Sequence, residues 1–91
     1  MYYVYVLQSD VDGSLYVGYS NDLKRRLVEH NTGANRSTKH KTPFQLVYYE
    51  AYRNRADAKF RESQLKRHAN GWKELRKRIA GSIHDEVVRG P

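Results

Sequence analysis

A small α+β fold, with a three-stranded antiparallel sheet flanked by helices in the order β-β-α-β-α-α, is what the sequence predicts. Three observations point to it. Two strand-like runs, Tyr2 to Leu7 and Leu15 to Tyr19, are separated by a short polar turn; a third, Phe44 to Tyr52, follows; and the intervening and trailing segments repeat apolar residues at helical spacing. A chain of 91 residues encloses a single hydrophobic core, and no repeat or long linker divides it. Residues 1–80 are therefore expected to form one domain, with 81–91 a C-terminal tail in which Ile83 and Val87 are placed to add a helical turn.

The first run, Tyr2-Tyr3-Val4-Tyr5-Val6-Leu7, is dense in the aromatic and β-branched residues that suit a pleated surface covered on both faces. Asp12-Gly13 supplies the backbone freedom of a tight hairpin turn. A turn centred there pairs residue i with residue 25 minus i, setting Tyr5 opposite Ser20 and Leu7 opposite Gly18, with Tyr5, Tyr16 and Gly18 on one sheet face. After either Ser20 or Asn21 as N-cap, Asp22 to Asn31 has helical spacing and Gly33 stands just past its end. Leu23 and Leu27 define the buried stripe of that helix. Arg26 and His30 lie beside the stripe, and Arg25 faces outward.

Thr32 to Thr42 is polar, basic and aperiodic, and reads as a loop ended by Pro43. Asn54 with Asp57 three residues on resembles a capping box, opening a helix that runs to about His68 or Ala69. Ala58, Glu62, Leu65 and Ala69 fall in one stripe of its wheel, so a carboxylate is turned inward, while Phe60 falls on nearly the opposite side. Asn70-Gly71 is expected to break the chain before a last amphipathic helix carrying Trp72, Leu75 and Ile79.

Charge narrows the choice of partners. The net charge of +7 is concentrated in one half: residues 1–50 hold six Lys/Arg against five Asp/Glu, and residues 51–91 hold eleven against five. A one-sided positive surface fits a polyphosphate partner, because each neutralised phosphate releases condensed counterions. The absence of cysteine excludes disulfides and thiolate metal sites. No run of about 18 apolar residues and no signal-peptide pattern occurs, so a soluble cytoplasmic protein without membrane association is expected. No zinc ligand set, Gly-rich phosphate loop or Ser/His/Asp constellation is present.

Tyr3-Val4-Tyr5 and Tyr16-Val17-Gly18 stand where nucleases of the GIY-YIG family carry their two name-giving tripeptides. The intervals agree as well: the two tyrosines are eleven residues apart, Arg26 follows Tyr16 by ten, His30 follows Arg26 by four, and Glu62 lies on the next helix. The chain thus resembles that family over about residues 1–80, and is most similar to its stand-alone bacterial single-domain members. They share strings such as Leu15-Tyr16-Val17-Gly18-Tyr19, Thr42-Pro43-Phe44, Leu46-Val47-Tyr48-Tyr49-Glu50 and Arg61-Glu62. Tyr3 replaces the glycine of the first motif, a change remote from the chemistry because the reacting group there is Tyr5.

The resemblance implies metal-dependent hydrolysis of phosphodiester bonds in DNA, and structured or damaged DNA, in repair or recombination, is the expected substrate because 91 residues offer little surface for reading a long sequence. Glu62 is then the ligand of a divalent cation, Mg2+ or Mn2+, whose other positions are filled by water and phosphate oxygen. Arg26, with its fixed charge and forked donors, would grip the scissile phosphate. Tyr5 or Tyr16 would act on the attacking water through its phenol, and His30 would accept a proton from a tyrosine or orient a phosphate contact. Gly18 leaves room where backbone and substrate approach. Lys39, His40 and Lys41 of the loop, with Lys66, Arg67, Lys73 and Arg76 of the later helices, are the candidates for nucleic-acid backbone contacts. RNA in place of DNA, a targeting protein partner, and a non-catalytic DNA- or RNA-binding module that retains the fold are compatible with the same residues.

Overall fold

The structure is a computed structural model that describes residues 1–33 and 38–83. Its elements are β1 (Tyr2–Ser9), β2 (Leu15–Ser20), α1 (Leu23–Asn31), β3 (Phe44–Tyr52), α2 (Arg55–Lys66) and α3 (Asn70–Arg78), with short 3₁₀ turns at Lys39–Lys41 and Ala80–Ser82. This is the expected order. The sheet runs β2-β1-β3 with both pairings antiparallel, so the aromatic first strand is central and is buried from Val4 to Ser9.

The hairpin register differs from expectation by two residues. Tyr5 faces Gly18 and Leu7 faces Tyr16, because the loop is centred between Val11 and Asp12. Only Gly13 there adopts a positive φ, 76°, and its N–H bonds back to the Ser9 carbonyl at 3.0 Å. A shift of two preserves side-chain parity. Tyr5, Tyr16 and Gly18 therefore still share a face.

Each face has its own core. Beneath α2 and α3, Val4 and Val6 meet Ala58, Leu65, Trp72, Leu75 and Ile79, with Ile83 packed against them. On the other face Tyr5, Leu7 and Phe44 meet Leu23 and Leu27 of α1. Full burial of a side chain such as Leu7 or Leu65 contributes about 1.5–3 kcal/mol.

The α1 N-cap is Asp22, not Ser20 or Asn21. Its carboxylate accepts from the Arg25 N–H at 3.1 Å, while the Ser20 hydroxyl accepts from the Asp22 N–H. Asn54 caps α2 as expected, accepting from the Asp57 N–H. That helix stops at Lys66, short of His68 or Ala69, and Ala69 is exposed rather than in the buried stripe. The break lies at His68, a non-glycine residue with φ 55°, and Asn70-Gly71 opens α3 instead of interrupting the chain. Phe60 is 63% exposed, which accounts for its place opposite the α2 stripe: it packs on nothing central.

A polar cluster fixes α2 to the sheet. Glu50 of β3 accepts two hydrogen bonds from Arg61 Nε, at 3.0 and 3.1 Å, and one from Arg61 Nη2 at 2.9 Å. The hydroxyls of Tyr48 and Tyr52 donate to the same carboxylate. Burial alone would raise the Glu50 carboxyl, but these hydrogen bonds outweigh it and hold the group below its ordinary value. The two phenols are pushed up to about 12 by burial and by their bonds to the carboxylate.

Candidate active site

The inward residues of the two faces meet at the free edge of β2, in a cleft of about 560 Å³. Tyr5 reaches that edge from the central strand because its ring crosses Gly18. A Cβ built on Gly18 would lie 2.8 Å from the Tyr5 Cε1 and closer still to Cζ and the phenolic oxygen. The missing side chain thus makes room for Tyr5 itself.

One turn apart on α1, Arg26 and His30 both address the Tyr5 phenol. Arg26 Nε donates to its oxygen at 3.4 Å, and the phenol and His30 Nε2 share a hydrogen bond of 3.1 Å. His30, 5% exposed, is bonded through Nδ1 to Thr38 Oγ1 at 3.0 Å. In the tautomer protonated at Nδ1, the His30 Nδ1–H donates to Thr38 and Nε2 accepts the phenolic proton, while Arg26 donates to the phenolic oxygen. Burial and the nearby Arg26 charge lower the His30 pKa, so the ring is neutral at pH 7 and able to accept that proton. Burial raises the Tyr5 pKa, with the Arg26 hydrogen bond and charge pulling the other way. Arg26 is in turn strengthened as a cation by the Tyr5 bond, despite its own burial, and its Nη1 meets Glu29 at 3.1 Å.

Glu62 enters the cleft from α2, on the opposite side of the β2 edge. Its side chain is 13% exposed and is held by Lys66 Nζ at 3.0 Å and Lys59 Nζ at 3.4 Å. Lys59 is itself set over the Tyr19 ring, 4.7 Å from the centroid. Glu62 acts on Tyr5 electrostatically, as a further charge raising the phenol's pKa. Tyr16 lines the cleft with its ring edge-on to Phe44. The five residues singled out by spacing, Tyr5, Tyr16, Arg26, His30 and Glu62, thus border one cavity.

A single half-enclosed carboxylate in a cleft that tyrosines also line suits a hard cation that takes most of its ligands from water and phosphate. Among the described residues no group of three or more His, Asp or Glu forms a fuller cage. Glu62 is the carboxylate that lines the cleft.

The basic residues divide. Lys66 is in the cleft, whereas Lys41 pairs with Asp12 at 3.2 Å beside the hairpin turn, and Lys39 and His40 are exposed next to it. Arg67, Lys73 and Arg76 are exposed at the end of α2 and along α3. Spacing did not reveal Lys59, Thr38, Tyr19 or His68, all of which line the cleft. Lys59 was discoverable, since it stands one turn before the inward Glu62; Thr38 sits in an aperiodic loop and left no signal.

The element order and the three-stranded antiparallel sheet are those of the fold that GIY-YIG nuclease domains share. The chain belongs to the GIY-YIG family: the model of the GIY-YIG catalytic domain matches residues 1–78. Similar proteins include a UPF0213 protein of Staphylococcus saprophyticus, 39% identical over 71% of this chain and 79% of the relative. One from Haloquadratum walsbyi is 42% identical over 71% of this chain and 73% of its own. The solution NMR structure of a UPF0213 protein from Bacillus halodurans matches with TM-score 0.54 at 32% identity, covering 89% of this chain and 87% of that one. No helix among the described residues is long and apolar enough to cross a membrane.

Proposed function

We propose that the protein is a divalent-metal-dependent endonuclease that hydrolyses phosphodiester bonds in structured or damaged DNA, in repair or recombination. The observation that carries this reading is the hydrogen-bonded line Arg26–Tyr5–His30 facing Glu62 across a single cleft. Mg2+ or Mn2+ held at Glu62 would supply positive charge to a phosphate oxygen and acidify water beside it.

A buried, protonated phenol is a poor base by itself. Tyr5 becomes one when its proton passes to His30 Nε2 as it takes a proton from the attacking water, so the relay ends on an imidazole whose lowered pKa keeps it unprotonated beforehand. The water oxygen forms the new bond to phosphorus, the ester oxygen departs with the electrons of the broken bond, and solvent protonates it. Arg26 neutralises charge growing on the phosphate and on Tyr5. Thr38 holds His30 in the accepting tautomer. Tyr16, on the same wall, orients the water or the phosphate. Lys66, Lys59 and the exposed Arg67, Lys73 and Arg76 carry the strand, and a protein of this size, with little surface for reading sequence, selects shape.

The test is incubation of purified protein with nicked, branched and supercoiled DNA, with Mg2+ or Mn2+ and with chelator. Metal-dependent cleavage should fall by about a hundredfold or more in Arg26→Ala and Glu62→Ala. Salt-sensitive binding without cleavage under any metal would replace the proposal with a non-catalytic DNA- or RNA-binding module.

A further inference from the structure

We propose that His68 and Trp72 form a stacking platform for one unpaired base of the DNA strand in the cleft. This rests on reading the cleft as a DNA site and extends it from the scissile phosphate to a neighbouring nucleotide.

His68 occupies the left-handed region, φ 55°, at the turn between α2 and α3. A left-handed residue after a helix end is ordinary, and its N–H duly bonds to the Leu65 carbonyl at 3.1 Å. Glycine or asparagine meets that requirement with less strain. The ring is what capping does not need, and the ring is the part that is organised. It lies flat against Trp72, with centroids 5.1 Å apart and planes inclined by 15°. Trp72 is anchored in the core, 7% exposed, so the imidazole rests on a rigid base.

His68 is exposed, lines the same cleft as Tyr5, Arg26 and Glu62, and has no ring against its outer face among the described residues. Lys66, two positions earlier, puts an ammonium in the cleft to meet backbone phosphate. A flat, pre-ordered π surface beside a cationic groove is the arrangement that holds unpaired nucleotides. Bases inside a duplex have both faces covered by their neighbours, so the platform admits only one that is bulged, gapped or extruded. That would give a domain with little surface for reading sequence a means of choosing distorted DNA.

Fluorescence anisotropy in chelator measures binding without cleavage, using a labelled duplex with a single-nucleotide bulge and its fully paired counterpart. The wild-type chain should prefer the bulged duplex by about tenfold, the scale of one base stacked on an aromatic ring. His68→Asn, which suits the left-handed backbone, should abolish the preference, and His68→Phe, which keeps a flat ring, should retain it. Equal preference in His68→Asn and wild type, no preference in the wild type, or loss in His68→Phe as well as His68→Asn would each overturn the platform. Metal-dependent cleavage by the same preparations is scored separately. Its absence with the bulge preference intact would refute the nuclease reading and leave the platform standing.

Discussion

Adding one methyl group at Gly18 should disable the site without removing any of its polar groups. In Gly18→Ala the new Cβ would sit 2.8 Å from Tyr5 Cε1 and nearer to the phenol carbon and oxygen, where carbon atoms normally stop at about 3.5 Å. The strand backbone is fixed by pairing on β1, so the ring has to move, and its free phenol end has to move by roughly 1 Å. The bonds to His30 and Arg26 begin at 3.1 and 3.4 Å and would pass beyond hydrogen-bonding range. Overpacking of this kind costs about 1–3 kcal/mol of stability. A misplacement of about 1 Å lowers turnover by about a hundredfold. The assay is cleavage of branched DNA under single-turnover conditions, with urea denaturation to confirm that the variant is folded. Turnover within about twofold of wild type in a folded Gly18→Ala protein would show that the position of the Tyr5 phenol does not govern the chemistry.

Glu50→Ala should destabilise the fold by about 3 kcal/mol, because it strands Arg61 and the hydroxyls of Tyr48 and Tyr52 without their shared acceptor; an urea midpoint unchanged from wild type would contradict this. The pH dependence of stability has a definite sign. The His30 pKa is lowered by folding from its ordinary 6.5, so the unfolded chain binds the extra proton first, and stability present above pH 6.5 is lost as pH falls below it. His30→Gln should remove that component of the urea-midpoint profile below about pH 6.5, and an identical profile in the variant would place the titration elsewhere. Glu62→Gln should abolish metal-dependent cleavage, yet shift stability by less than about 1 kcal/mol, since each lysine it pairs with is substantially exposed; a large loss of stability would make Glu62 a structural residue.

The architecture was legible because periodicity reports which face a residue occupies. Alternation placed Tyr5, Tyr16 and Gly18 together, and parity survived even though the turn chemistry at Asp12-Gly13 set the register two residues off. Helix ends were less legible: His68 adopts a left-handed backbone that sequence alone assigns first to the glycine three residues later. The spacing of Arg26, His30 and Glu62 carried the outline of the site. What spacing could not convey is that α1 and α2 lie on opposite faces of the sheet and meet only around the β2 edge. Thr38 and His68 join the cleft through that tertiary arrangement, and their local sequence carries no trace of it, whereas Lys59 was marked by its place one turn before Glu62.

Mn2+ titration followed by NMR tests the convergence of these groups most directly, because paramagnetic broadening falls off steeply with distance from the ion. The ring resonances of Tyr5, Tyr16 and His30 should broaden first and together, and Glu62→Gln should prevent it. Broadening centred on another carboxylate, or unaffected by Glu62→Gln, would show that the cation and the Arg26–Tyr5–His30 line do not share one site.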